Sequence, residues 1–225
     1  MDPINPTEST TLRRHPERGA SEWETIASIL DEGFICHIGF VGADDRPYVI
    51  PTSYCRVDDV LYLHGSPASR MLRTLADGID ICVTVTLVDG FVLSRSAFHH
   101  SLNYRSVVVL GRAVEEKDPH AKAAALTAFV DHIVASRAAD TRAPNEIEVR
   151  KTSVLRLPLR EASAKIRTGP PIEEPTDLDS RVWGGVVPLW LHAGTPEPDG
   201  QGTGEPAPLP AYLRTNERAR PGVMR

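Results

Sequence analysis

The chain has 225 residues, 41% apolar and 24% charged, which allows one domain with an ordinary core and some appendages. A net charge of −5 gives no sign of nucleic acid or an anionic membrane as a partner, and no apolar run approaches the roughly 20 residues that span a bilayer. Cys36, Cys55 and Cys82 are odd in number, lie in apolar runs and lack zinc-site spacing, so they read as reduced, buried thiols of a cytoplasmic protein.

Residues 1–20 open the chain as a flexible arm, polar and proline-bearing through residue 14, without the basic-then-apolar pattern of a secretory signal. Ser21-Glu-Trp-Glu24 reads as a capping box that starts an amphipathic helix ending at Gly33. The hydrophobic period then changes to that of strands. Residues 34–41 and 48–55 form a hairpin around the turn 42–47, with Pro51 marking an edge or a bulge. A second turn at 57–59 leads into a strand at 60–64.

The next stretch, Leu61-Tyr-Leu-His-Gly-Ser-Pro-Ala-Ser-Arg-Met-Leu-Arg-Thr-Leu75, runs a strand into a turn that opens a helix. Ser66 is placed as its N-cap, Pro67 as its first residue and Gly78 as its stop. Backbone N–H groups, the Ser66 and Ser69 hydroxyls and the Arg70 guanidinium then make an anion site suited to phosphate. A well-capped surface helix with a solvated arginine is the competing reading.

Strands follow at 79–88, 91–96 and 104–114, and Asp118-Pro119 starts a helix to about Ser136 with Leu126, Phe129, Val130 and Ile133 on its apolar side. Residues 153–163 form a last strand, at an edge because of Pro158. Trp183 to Trp190 is an apolar island too short for a core element, and residues 191–225 are a Pro/Gly-rich tail expected to be disordered. Residues 21–190 are thus one domain. Strands that follow one another without intervening helices disfavour a doubly wound parallel sheet and favour a mainly β, closed antiparallel barrel with helices.

A second polar run, His99-His-Ser-Leu-Asn-Tyr-Arg-Ser-Val-Val-Val-Leu-Gly111, precedes a fully apolar strand and so lines a cleft or an interface unless it is an ordinary polar loop. Asn103 can bond a planar heterocycle, Tyr104 can stack, and Arg105 can fork onto phosphate or carboxylate. His99 and His100 face opposite sides of a strand, which argues against a shared metal.

These segments in order are His64-Gly-Ser with Ser69-Arg70, Asp89-Gly-Phe-Val92, His99-His-Ser-Leu-Asn-Tyr-Arg-Ser-Val107 and Ala164-Lys-Ile-Arg-Thr-Gly-Pro-Pro171. Together they resemble the pyridoxamine 5′-phosphate oxidase-like superfamily, in its flavin-nucleotide-binding, nitroimidazole-resistance (Nim-type) branch. The resemblance covers residues 23–189. It implies an FMN-binding split β-barrel, antiparallel and Greek-key-like, working as a homodimer with two flavins at the subunit interface.

On that resemblance Ser69 and Arg70 fall on the phosphate-binding pair, and His64, Gly65 and Ser66 on the cradle before it. Val49, Ile50, Pro51 and Thr52 fall on the strand that meets the flavin's pyrimidine edge. Asn103, Tyr104, Arg105 and Ser106 match the motif near the dimer interface. Lys165 and Arg167 match a further motif, and Trp183 an aromatic reaching the partner's flavin. His64 is the candidate catalytic residue, as proton donor or substrate ligand, with a hydrogen-bonding strand cap as the alternative.

The chain lacks the Arg-containing C-terminal motif of true pyridoxamine 5′-phosphate oxidases, which argues against that substrate. The expected function is an FMN-dependent oxidoreductase acting on a small molecule, a nitroaromatic being one candidate. The alternatives are a non-catalytic flavin- or haem-binding module and a deazaflavin-dependent reductase.

Overall fold

The structure is a computed structural model that describes residue 4, residues 6–201 and residues 208–214. The described residues form ten strands, the longer of them rich in β-branched residues: β1 (Gly19–Ala20), β2 (Ile35–Val41), β3 (Pro47–Val57), β4 (Val60–Gly65), β5 (Asp80–Leu93), β6 (Ser101–Arg112), β7 (Val114–Glu115), β8 (Ser153–Pro158), β9 (Glu161–Arg167) and β10 (Gly185–Pro188). The helices are α1 (Trp23–Glu32), α2 (Arg70–Ala76), α3 (Pro119–Ile133), α4 (Glu146–Arg150) and α5 (Ala211–Arg214).

Every pairing is antiparallel, in the order β1-β9-β6-β5-β2-β3-β4-β8-β7, with β10 added to β5. Two long runs of chain join the halves of this sheet. β3 pairs with β2 through residues 47–53 and with β4 through residues 54–57. β6 passes through the buried Ala113 into β7, which pairs with β8 at the other end of the order. The sheet therefore curls on itself around a core that includes Ile38, Leu61, Leu63, Val83, Val107, Val109 and Leu157. The expected mainly β, antiparallel architecture with helical additions is what the chain adopts.

The splice in β3 bears on function. Residues 47–53 pair only with β2, so their other edge carries unpaired backbone groups. Pro51, opposite His37, can sit there because no second neighbour needs its missing N–H.

Several expected elements change on inspection. α1 is capped at Glu22, without a side-chain cap bond, so the Ser21 capping box does not form; the Ser21 carbonyl instead accepts from the Ile4 N–H at 3.2 Å. The strands expected at 79–88 and 91–96 are one, β5, whose register shifts at the bulge between Val88 and Gly90. The strand expected at 153–163 is two, β8 and β9. α3 turns Ala125, Phe129 and His132 inward and leaves Ile133 exposed; His132 Nε2 donates to the Gly33 carbonyl at 2.8 Å.

The arm and the island also take part in the sheet. Ile4 is 8% exposed against the core, Thr10 is buried, and β1 pairs with β9. The apolar island supplies β10, and the Leu189 N–H donates to the Asp89 carbonyl at 3.0 Å. Of the expected tail, residues 191–201 carry no regular structure, and residues 202–207 and 215–225 lie outside the described residues. Within 208–214, Tyr212 accepts from Arg137 at 3.0 Å and donates to Asp140 at 2.6 Å.

Burial pushes the Cys36 and Cys55 thiols up to about 12, so both stay protonated and inert near neutral pH. Neither is expected to react with a thiol reagent until the protein unfolds. Mass spectrometry after labelling would show this, and modification of either in the native state would contradict the burial.

Candidate functional site

The β4–α2 turn closes on itself before the helix begins. The Ser69 N–H donates to the Ser66 carbonyl at 2.8 Å, and the Ala68 N–H donates to Ser66 Oγ at 3.2 Å. Pro67 thus lies within the turn, and the N-cap is Ser69, not Ser66: Ser69 Oγ accepts from the Leu72 N–H at 3.4 Å. Gly78 ends the segment at φ 74, as its position predicts. α2 has only seven residues, so its dipole adds little, and an anion here would depend on Arg70 and the turn's own donors.

Arg70 faces a cavity of about 230 Å³ between α2 and the β2–β3 hairpin, bounded also by Phe40, Asp44, Tyr48, Ile50 and Met71. The Phe40 and Tyr48 rings stack at 5.5 Å and 20°, and the Arg70 guanidinium lies 5.9 Å from the Tyr48 ring centre. Tyr48 donates to Asp44 Oδ2 at 2.8 Å across the hairpin turn. That hydrogen bond, the largest cause, holds the Asp44 carboxyl below its ordinary range, and Arg70 contributes in the same direction. Asp44 and Tyr48 were not among the residues expected from sequence, although a carboxylate and a phenol flanking a tight turn are a local pair that could have been noticed.

The expected residues fall into separate groups. Ile50 and Arg70 share the cavity, and Gly65, Ser66 and Ser69 lie in the turn leading to it. Val49, 68% exposed, and Pro51 alternate with Ile50 and Thr52 along the open edge of β3. The second group lies on β6 and β9, with β5 and β2 between it and β3. There Asn103 is committed within the chain, accepting from Arg167 and donating to the Gly169 carbonyl at 3.2 Å. Arg105 is committed more fully: Asp89 takes Nε and Nη2 at 3.0 and 2.7 Å, while Glu32 takes Nη1 and Nη2 at 2.5 and 2.8 Å. Of the two partners expected for this fork, phosphate or carboxylate, it takes carboxylates of its own chain, which occupy four of its five N–H donors. Ser106 Oγ donates to the Lys165 carbonyl at 3.3 Å, and Tyr104 stands opposite Arg167. Trp183 is 62% exposed beside β10.

His64 is not in the cavity wall. Its ring lies 4.0 Å from that of Phe129 on α3, and Nδ1 is buried without a hydrogen-bond partner. Burial lowers its pKa, so the imidazole is neutral at physiological pH. Nδ1 therefore does not serve as the hydrogen-bonding strand cap weighed for this residue, and the ring packs on Phe129 instead. Among the described residues no cluster of three or more His, Cys, Asp or Glu could hold a bare metal ion, and no helix is long and apolar enough to cross a membrane.

The family model for pyridoxamine 5′-phosphate oxidase matches residues 22–166. The flavocytochrome Anf3 from Azotobacter vinelandii is 36% identical over 95% of this chain and 99% of its own, with a TM-score of 0.86. A FAD- and haem-binding protein from Mycobacterium smegmatis is 31% identical over 88% of this chain and 97% of its own, with a TM-score of 0.83. A protein assigned to 5-nitroimidazole antibiotic resistance in Bacteroides thetaiotaomicron shares the fold, at 24% identity over 66% of this chain and 86% of its own, with a TM-score of 0.56. No curated protein matches.

Proposed function

The chain belongs to the pyridoxamine 5′-phosphate oxidase family, and on that premise we propose that it is a redox protein holding a flavin and a haem. The observation that carries the flavin half is the meeting of Arg70 with an open strand edge around one cavity. The turn 66–69 and Arg70 would hold the phosphate, and the backbone of residues 49–52 would meet the ring. These residues fit the group: the edge has unpaired donors and acceptors, and the guanidinium faces open space.

The haem half draws on the two whole-length relatives, one a flavocytochrome and one a binder of FAD and haem. It modifies the expectation of FMN alone, since the second of these binds FAD. Here His64 would be the candidate iron ligand because burial keeps its imidazole neutral; Nδ1 is closed off inside the chain, so ligation would fall to the other ring nitrogen. When bound, the flavin supplies hydride and single-electron chemistry and the haem supplies single-electron chemistry. The chain's part is to orient both and to exclude water. Electrons would come from a reduced nicotinamide or a similar donor and pass to a small oxidant.

The working unit in this proposal is a homodimer. The outward face of β2, β3, β5 and β6 is uncharged over Ile35, Val49, Pro51, Thr84, Val88 and Val108, and several of these are exposed. A second copy there would cover that face and bring its Tyr104 and Trp183 region toward this chain's β3 edge. The three unbridged cysteines support a cytoplasmic setting.

The visible spectrum of the purified protein tests the reading, with flavin bands and a Soret band both expected. A colourless protein that takes up neither group on titration ends it. Arg70→Ala is expected to weaken flavin by about 1–2 kcal/mol, or roughly ten-fold, because Asp44 already offsets part of its charge. Fluorescence titration measures this, and unchanged affinity removes Arg70 from the site.

A further inference from the structure

A second opening lies where the two halves of the sheet part. β6 runs beside β9 as far as Leu110 opposite Glu161, and β7 runs beside β8 from Val114 opposite Arg156. Between those points no strand pairing joins residues 111–113 to residues 157–160, and a cavity of about 400 Å³ opens there. That volume suits a small molecule, whose sites run to roughly 300–1,000 Å³. The cavity shares no lining residue with the one at Arg70.

Three arginines from separate segments line it: Arg112 ends β6, Arg156 lies on β8 and Arg160 on the turn between β8 and β9. The carboxylates nearby leave most of their donors free. Asp80 takes Arg112 Nε and Nη2 at 2.8 and 3.0 Å, which leaves Nη1. Glu116 Oε2 stands 3.7 Å from Arg156 Nε, too far for a hydrogen bond, and its Oε1 accepts from the Asp118 N–H at 3.0 Å. Arg160 makes no hydrogen bond or ion pair with a described residue. Glu161, the carboxylate on the wall, accepts from the Thr7 hydroxyl of the N-terminal arm. Asp80, Glu116 and Glu161 offset the three cations overall, so an entering anion would find free guanidinium forks rather than a strong field. Such planar N–H pairs match a carboxylate or a phosphate.

We propose that this seam is a second binding site, for a small organic anion whose carboxylate or phosphate meets Arg156 and Arg160. Leu110, Val114 and Pro158, on the same wall, would take its compact apolar body. β8 is paired on both sides, with β4 and β7, so Arg156 is offered from a fixed backbone. The site needs no flavin at Arg70.

Calorimetric titration of the full-length protein as purified, with benzoate and with phenyl phosphate against chloride at equal ionic strength, provides the test. Saturable binding of at least one probe is expected, and the tighter one identifies the head group. The same head group without its ring, as acetate or inorganic phosphate, should bind about ten-fold more weakly. Arg156→Gln and Arg160→Gln are each expected to lower affinity about ten-fold. Both side chains are exposed, so the melting temperature should not move. Arg70→Ala should leave binding within about two-fold of wild type, since it lies outside this wall. Heats that chloride reproduces, or binding that withstands both glutamine variants, overturn the site. Binding lost in Arg70→Ala also overturns it, because the probe then sits in the other cavity.

Discussion

Arg105→Met is expected to cost about 2–3 kcal/mol of stability while leaving flavin affinity within about two-fold of wild type. The guanidinium joins Glu32, at the end of α1, to Asp89, at the β5 bulge, through four hydrogen bonds of 2.5–3.0 Å. Asp89 also holds the end of β10 through its carbonyl. Removing the cation strands two facing carboxylates, a loss worth about 3–5 kcal/mol for a fully buried pair. Glu32 is half-exposed, and water recovers part of that. In a chain of this size the melting temperature should fall by about 5–10 °C, measurable by calorimetry. A variant that kept its stability and lost flavin would restore Arg105 to the cofactor and remove this account.

That arginine also shows where sequence reasoning stopped. The run Asn103-Tyr-Arg-Ser106 was conspicuous because it is polar beside an apolar strand, and an interface or cleft was a fair expectation. The alternation of a strand divides the run, however, placing Asn103 and Arg105 on the same side as the core residues Val107 and Val109 and sending Tyr104 and Ser106 outward. The carboxylates that occupy Arg105 are 73 and 16 residues away, and Arg167, which binds Asn103, is 64 away. Periodicity carries no information about such distant partners. The turn into α2 was legible because Ser66 to Arg70 is local chemistry, although the cap moved by three residues once Ser66 closed its own turn. The open edge of β3 was legible through Pro51, whose missing N–H excludes a central position. The joining of β5 across its bulge and the recruitment of β10 were not, since both depend on pairing between remote segments.

His64→Ala is expected to abolish the Soret band while preserving the flavin spectrum and the fold. On the proposed reading the two groups would be separable, because His64 lies against Phe129 under α3, outside the wall of the Arg70 cavity. Burial lowers its pKa and keeps the ring neutral, the state in which a histidine can ligate iron. The same burial sets a pH dependence. With the folded pKa below the ordinary value near 6.5, the unfolded chain takes up a proton that the native state resists, so apo-protein stability falls as pH drops below about 6.5. His64→Leu should flatten that slope, since no proton is then taken up at this position on unfolding. Chemical denaturation of the apo-protein at pH 5 and pH 7.5 would measure the difference, independently of any haem. A Soret band surviving in His64→Ala would move the iron to another ligand, and an acid slope unchanged in His64→Leu would deny the imidazole its buried, neutral state.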